Sequence, residues 1–273
     1  MTNGRRRVEI PVFVSTAWLG DQLGDAAVAV VDVRPPFFYA QAHLPGAVSL
    51  PIFLFSDPSG PPPAASFRER LGQLGISAEM HVVACDDGAS PMAGRLFWVL
   101  QAIGHSRCSI LDGGITRWMH EGRETETAPS QPARTAYGSR PIDPSVRLDM
   151  GAMREIVNRQ DAVILDVRSP AEYLGTQATA ARNGHIPGAL NVEWSNALGE
   201  VEGLPALDDE ASLRSLYHAA GVTSNRQVVV YCQSGARASH TFAVLKHLGY
   251  ANVAAYSAGW QEWGNTPHLP VEE

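Results

Sequence analysis

The sequence predicts an α/β fold of two similar domains in tandem, each a mostly parallel sheet flanked by helices. Three observations carry that expectation. Landmarks of the first half recur in the same order in the second, short β-branched runs alternate with stretches of helical period, and a proline-rich polar segment separates the copies. The 273 residues, 45% of them hydrophobic, are enough for two cores. With 18% charged residues and with 25 Gly and 19 Pro spread among apolar runs, a disordered or fibrous chain is excluded.

Arg5, Arg6 and Arg7 lead into Glu9 and Pro11 without an unbroken apolar run, which makes a poor secretory signal. Val12-Phe13-Val14, followed by Ser15-Thr16 and Trp18-Leu19, reads as a short strand feeding a capped helix. No stretch reaches the ~18 apolar residues of a membrane span, so no membrane association and a cytoplasmic location are expected. Val30-Val31-Asp32-Val33-Arg34 is a buried strand that ends in an ion pair, and His43-Leu44-Pro45-Gly46-Ala47 is a turn. Val82-Val83-Ala84-Cys85-Asp86 is the next apolar strand, and Ala93 to Ile103 has helical spacing. Glu124 to Pro144, with Pro129, Pro132, Pro141 and Pro144, keeps neither period and is linker. The expected domains are therefore 1–124 and 145–273, joined by 125–144.

The second copy repeats the first as Ile164-Leu165-Asp166-Val167-Arg168, His185-Ile186-Pro187-Gly188-Ala189 and Val228-Val229-Val230-Tyr231-Cys232, with a helix over Ala238 to Leu248. Asp32 and Asp166 stand 134 positions apart and His43 and His185 stand 142 apart, so the second copy has eight extra residues there. Further on the offset is 146, which sets Cys232 against Asp86 and not against Cys85. His43 and His185 precede Pro-Gly turns in both copies, so a turn role is expected for them, while Trp260 and Trp263 are expected to pack.

Acidic residues outnumber basic ones by 28 to 21, a formal charge of −7 that offers no field for nucleic acid or an anionic membrane. An anionic substrate must be held locally. Cys85, Cys108 and Cys232 are too few for a disulfide framework and fit a reducing compartment, and no metal-ligand spacing or cofactor motif is present. Tyr231 ends a strand and Ala238 lies in a helix, so Cys232, Gln233, Ser234, Gly235, Ala236 and Arg237 form a tight strand-to-helix loop. A sulfur at a helix start meets backbone N–H groups that favour thiolate, Gly235 lets the chain curl, and Arg237 adds a positive charge. The expected site is a nucleophile in an anion-binding cradle.

These residues, with Leu111-Asp112-Gly113-Gly114 and Trp118, resemble the tandem rhodanese family over nearly the whole chain. The resemblance implies two rhodanese-like domains and a sulfurtransferase, with the first copy inactive because Asp86 stands where the second has its nucleophile. It implies a ping-pong cycle in which Cys232 takes sulfane sulfur as a persulfide and passes it to cyanide or a thiol, including that of a thioredoxin-like or other protein acceptor. Two donors are typical, thiosulfate and 3-mercaptopyruvate. Mercaptopyruvate enzymes tend to carry Arg where this chain has Glu172, and their loop reads Cys-Gly-Ser-Gly-Val-Thr. Cys-Gln with Arg237, together with Ala189-Leu190-Asn191-Val192-Glu193-Trp194, is similar to bacterial thiosulfate:cyanide sulfurtransferases. Thiosulfate is the expected donor, held by the residues 233–237 and by Arg182. Glu172 has two open readings, one facing the donor and one as an acid in the first turn of a helix started by Ser169-Pro170-Ala171. Phe37 is expected near a strand end, where it is a candidate wall of the site. A cysteine phosphatase is the alternative enzyme, disfavoured because four residues and not five separate Cys232 from Arg237; a persulfide carrier or binding module is the other alternative.

Overall fold

The computed structural model describes residues 10–52, 62–89 and 91–273. Arg5, Arg6, Arg7 and Glu9 lie outside them. In the first half the order is β1 (Phe13–Val14), α1 (Thr16–Gln22), β2 (Val28–Asp32), α2 (Pro36–Gln41), β3 (Val48–Ser49), α3 (Ala64–Gln73), β4 (His81–Cys85), α4 (Met92–Ala102), β5 (Cys108–Leu111) and α5 (Gly114–His120). The β-branched runs form the strands, and the Ser15 hydroxyl caps α1 by accepting from the Trp18 N–H at 3.1 Å. In the second half come β6 (Arg147–Leu148), α6 (Met150–Arg159), β7 (Ala162–Asp166), α7 (Pro170–Tyr173), β8 (Leu190–Asn191), β9 (Leu198–Val201), β10 (Leu204–Leu207), α8 (Glu210–Ala219), β11 (Gln227–Tyr231), α9 (Ala236–His247), β12 (Val253–Tyr256) and α10 (Gly259–Trp263).

The two sheets have one topology. The first runs β1-β5-β4-β2-β3 and the second β6-β12-β11-β7-β8, and every pair within them is parallel. Register agrees as well, since Asp32 pairs with Cys85 and Asp166 with Tyr231. Strands buried on both sides explain the continuous apolar runs. The antiparallel β9–β10 hairpin is inserted between β8 and α8, and its Leu207 N–H reaches across to Asp112 Oδ1 at 2.8 Å.

One hydrophobic core spans both copies, with smaller clusters on the outer faces. At its centre α4 packs on α9, where the Phe97 and Phe242 rings lie 6.3 Å apart, and the Trp98 Nε1–H donates to the Val146 carbonyl at 2.9 Å. Truncating a ring buried in this way costs about 3–5 kcal/mol. The segment between the sheets is extended and lies on the first copy, through Glu126 paired with His43 and through the Thr135 N–H on the Gly72 carbonyl. The second copy repeats the first pairing as His185 with Glu272. Among the described residues no helix is long and apolar enough to cross a membrane.

Candidate active site

Ligand sites of open parallel sheets lie beyond the carboxyl ends of the strands, and β11 delivers Cys232 there. The sulfur is held from the helix side, because the Gly235 N–H donates to Sγ at 3.1 Å. Gly235 caps α9 with φ +94°, a conformation that strains any residue with a side chain. Its carbonyl accepts from the Ser239 hydroxyl at 2.7 Å, and the Cys232 carbonyl accepts from the Trp260 N–H at 2.8 Å. Cys232 is only 1% exposed, so it is almost wholly screened from solvent.

Arg237 and Glu172 meet at this loop. Guanidinium Nη1 and Nη2 donate to carboxylate Oε2 and Oε1 at 2.6 and 2.9 Å, a bidentate pair between the first turn of α9 and α7. Burial disfavours the Glu172 carboxylate, but the bonds and charge of Arg237 outweigh it and hold the carboxyl below its usual range. Burial also opposes the Arg237 charge; the bonds to Glu172 and the nearby Cys232 sulfur hold its proton all the more tightly. Of the two roles that the sequence left open for Glu172, the structure has the acid in the first turn of the helix. Glu172 also completes a capping box, accepting from the Ser169 N–H at 3.1 Å while Ser169 Oγ accepts from the Glu172 N–H at 3.3 Å.

Gln233 points the other way and donates from Nε2 to the Thr179 carbonyl at 2.8 Å, which ties the eight-residue insertion to the loop. Ser234 and Ala236 are half-buried in it. Arg182 does not join them. Its guanidinium donates to the carbonyls of Gly264 (3.3 Å), Trp263 (2.7 Å), Thr266 (2.7 Å), Pro267 (3.5 Å) and Leu269, so all five of its N–H groups are committed to the 263–269 segment. Arg182 clamps the chain in this structure, its guanidinium on the 263–269 carbonyls. Phe37 and Phe38 are exposed on α2, ring edge to ring face at 5.6 Å.

The remaining landmarks form scaffold. Arg168 Nη2 donates to Asp166 Oδ2 at 2.6 Å and to the Gly184 carbonyl at 2.8 Å, and its guanidinium lies 4.7 Å from the Trp260 ring. Arg34 repeats this with Asp32 and the Ala42 carbonyl in the copy that has no cysteine loop. His185 stacks on Tyr173 and His43 on Tyr39, each bonded through Nδ1 to that tyrosine's carbonyl. Trp260, Trp263, Cys85 and Cys108 are buried. His240 is buried between Phe13 and Trp194, and burial pushes its imidazole down to about 4, so it is neutral near pH 7.

One residue beside the loop escaped the sequence reading. Arg95 of α4 is 0% exposed, with Nη1 directed at Gly235. The available signal was a lone charge within the apolar run Met92 to Ile103.

Comparison with known proteins agrees with this geometry. The family model of the rhodanese-like domain matches twice, over residues 15–121 and 149–266. A thiosulfate sulfurtransferase of Pseudomonas aeruginosa is 32% identical, covering 97% of this chain and 98% of the relative, and one of Azotobacter vinelandii is 35% identical, covering 96% and 97%. A sulfur carrier protein, TtuD of Thermus thermophilus, is 34% identical over 95% of this chain and 96% of its own. Among solved structures, the 3-mercaptopyruvate sulfotransferase SseA of Escherichia coli superposes with a TM-score of 0.81 at 26% identity, covering 92% of this chain and 99% of that one. With the repeat, the sheets and the loop in agreement, the chain belongs to the rhodanese family, with one rhodanese-like domain in each half.

Proposed function

We propose that this chain is a thiosulfate sulfurtransferase whose nucleophile is Cys232, with residues 1–124 as the non-catalytic domain and 145–273 as the catalytic one. The observation that carries the reading is the Gly235 N–H on Sγ at the head of α9, with Arg237 in the first turn of that helix, in the copy that has cysteine where the other has Asp86. In the first half-reaction the thiolate attacks the outer sulfur of thiosulfate. The S–S bond of the donor breaks, its electron pair leaves with sulfite, and Sγ keeps the sulfur as a persulfide. In the second half-reaction cyanide or a thiol attacks that outer sulfur, the Sγ–S bond breaks and the thiolate returns. The Gly235 N–H and the three Arg237 N–H groups not bound to Glu172 suit a dianion and its departing sulfite. The backbone N–H groups of Gln233, Ser234 and Ala236 complete the cradle.

Glu172 stands where mercaptopyruvate enzymes tend to carry Arg, and that difference in residue supports thiosulfate over 3-mercaptopyruvate. The relatives named thiosulfate sulfurtransferase support the same choice. A cytoplasmic setting suits the three unpaired cysteines. The relative named as a sulfur carrier favours a second reading, in which the same persulfide serves one protein acceptor, thioredoxin-like or otherwise. The test is sulfur transfer from thiosulfate and from 3-mercaptopyruvate with one purified protein. A higher kcat/KM for thiosulfate is expected, and a preference for mercaptopyruvate overturns the donor assignment.

A further inference from the structure

Helix α4 belongs to the copy without a nucleophile, yet it forms the wall behind the cysteine loop. Gly94 and Arg95 are consecutive on it. A Cβ at Gly94 would stand 2.7 Å from His240 Cα, so the missing side chain is what lets α4 close onto the backbone of α9. One residue on, Arg95 Nη1 lies 2.7 Å from where a Cβ on Gly235 would stand, and the Ser257 carbonyl oxygen lies 2.8 Å from the same point. The guanidinium thus takes the volume of a side chain at 235, on the residue whose amide holds Cys232 Sγ. Trp98 steadies it from below, with the Arg95 carbon 4.7 Å from the ring centroid.

We infer that Arg95, supplied by the non-catalytic domain, is a positioning residue for the reaction at Cys232: it braces the Gly235 turn and sets a fixed positive charge behind the sulfur. The inference rests on the reading of Cys232 as nucleophile. Both the thiolate and the persulfide are anions in a site nearly closed to water, where a nearby cation acts with little screening. Among the described residues, the other titratable groups around the loop are Arg237 with Glu172 of α7, Arg168 with Asp166 at the end of β7, and His240 of α9, which is neutral near pH 7. Domain packing is then part of the catalytic geometry, because sliding α4 along α9 moves Arg95 off the loop.

The test compares R95Q and R95K with the parent in two measurements: the pH dependence of Cys232 alkylation by iodoacetamide, located by mass spectrometry, and the single-turnover rate of persulfide formation from thiosulfate. R95Q is expected to raise the alkylation midpoint by roughly one pH unit and to slow persulfide formation about tenfold. R95K, which keeps the charge and loses the fork, is expected to hold the midpoint and lose about threefold in rate. Should R95Q not fold, the rate of R95K alone decides. A parental midpoint and rate in R95Q, or a parental rate in R95K, shows that Arg95 only packs and overturns the inference. The reading of Cys232 fails separately, if the transferred sulfur maps to Cys85 or Cys108 in the parent protein.

Discussion

The two strand-to-helix loops start from the same register and end in different chemistry. After β4, the Asp86 carboxylate lies where the sulfur lies after β11, and its oxygens accept the Gly88 and Ala93 N–H groups at 2.8 and 2.9 Å. After β11, Cys232 Sγ accepts the Gly235 N–H, and Glu172 faces Arg237. At the position of Glu172 the first copy has Phe38, exposed on α2, and the start of α4, Pro91 to Ala93, carries no cation. Features shared by both copies, the Asp–Arg pairs at the strand ends and the His–Tyr stacks before the Pro-Gly turns, hold the fold. Features confined to one copy, Cys232 and the Glu172–Arg237 pair, are the candidates for chemistry. The duplication sorts scaffold from site within a single molecule.

The sharpest way to break this comparison is to exchange the residues at its centre. Cys232→Ser is expected to reduce sulfur transfer to background, and mass spectrometry of the parent after thiosulfate should show one added sulfur on Cys232. Asp86→Cys in the Cys232→Ser background is expected to stay at background too, because the first copy has Phe38 in place of Glu172 and no cation at the start of α4. Labelling of the new thiol by thiosulfate would mean that the loop alone suffices. A smaller effect is expected from Arg237→Ala, which removes a charge-assisted contact of ~1.5–3 kcal/mol with a dianion. The kcat/KM for thiosulfate should fall about ten- to a hundredfold. An unchanged value at low salt removes Arg237 from donor binding.

Local sequence reaches these features unequally. The repeat, the parallel strands and the cysteine loop were legible because each is a contiguous run with its own period or turn residues, such as Val228 to Tyr231 followed by Gly235. The helix over Ala93 to Ile103 appears as Met92–Ala102, and that over Ala238 to Leu248 as Ala236–His247, two residues earlier at its start because Gly235 closes the turn. Partners distant in sequence were not legible. Arg182 looked like a ligand for an anion because nothing local shows the five carbonyls that the 263–269 segment folds back to it. Arg95 is 140 positions from Gly235, and only the packing of α4 on α9 brings them together.

The smallest expected effect lies in the first copy and concerns stability. Burial pushes the Asp86 carboxyl up to about 7, against the two backbone N–H bonds that lower it, whereas an unfolded aspartate titrates near the ordinary 3.8. Below the ordinary value both states hold the proton and the residue is neutral to stability. As pH rises from about 4 to about 7, the unfolded chain gives up its proton while the folded one keeps it, so this carboxyl lowers stability progressively and the loss then levels off. The second copy has a thiol at this place and no carboxyl to titrate over that range. Asp86→Asn removes the titration but sets an amide N–H against one of the two donors, which costs about 1–3 kcal/mol at every pH. The constant cost and the pH-dependent gain separate in urea unfolding at pH 4.5 and pH 8. Relative to the parent, the variant should gain about 1–3 kcal/mol between the two, because each pH unit separating the folded from the unfolded titration is worth at most about 1.36 kcal/mol. A difference that stays the same at both pH values means that Asp86 is ionised in the folded chain, its two N–H bonds outweighing burial; the carboxylate would then be an anion held by the first copy's loop, as the second copy's loop holds sulfur.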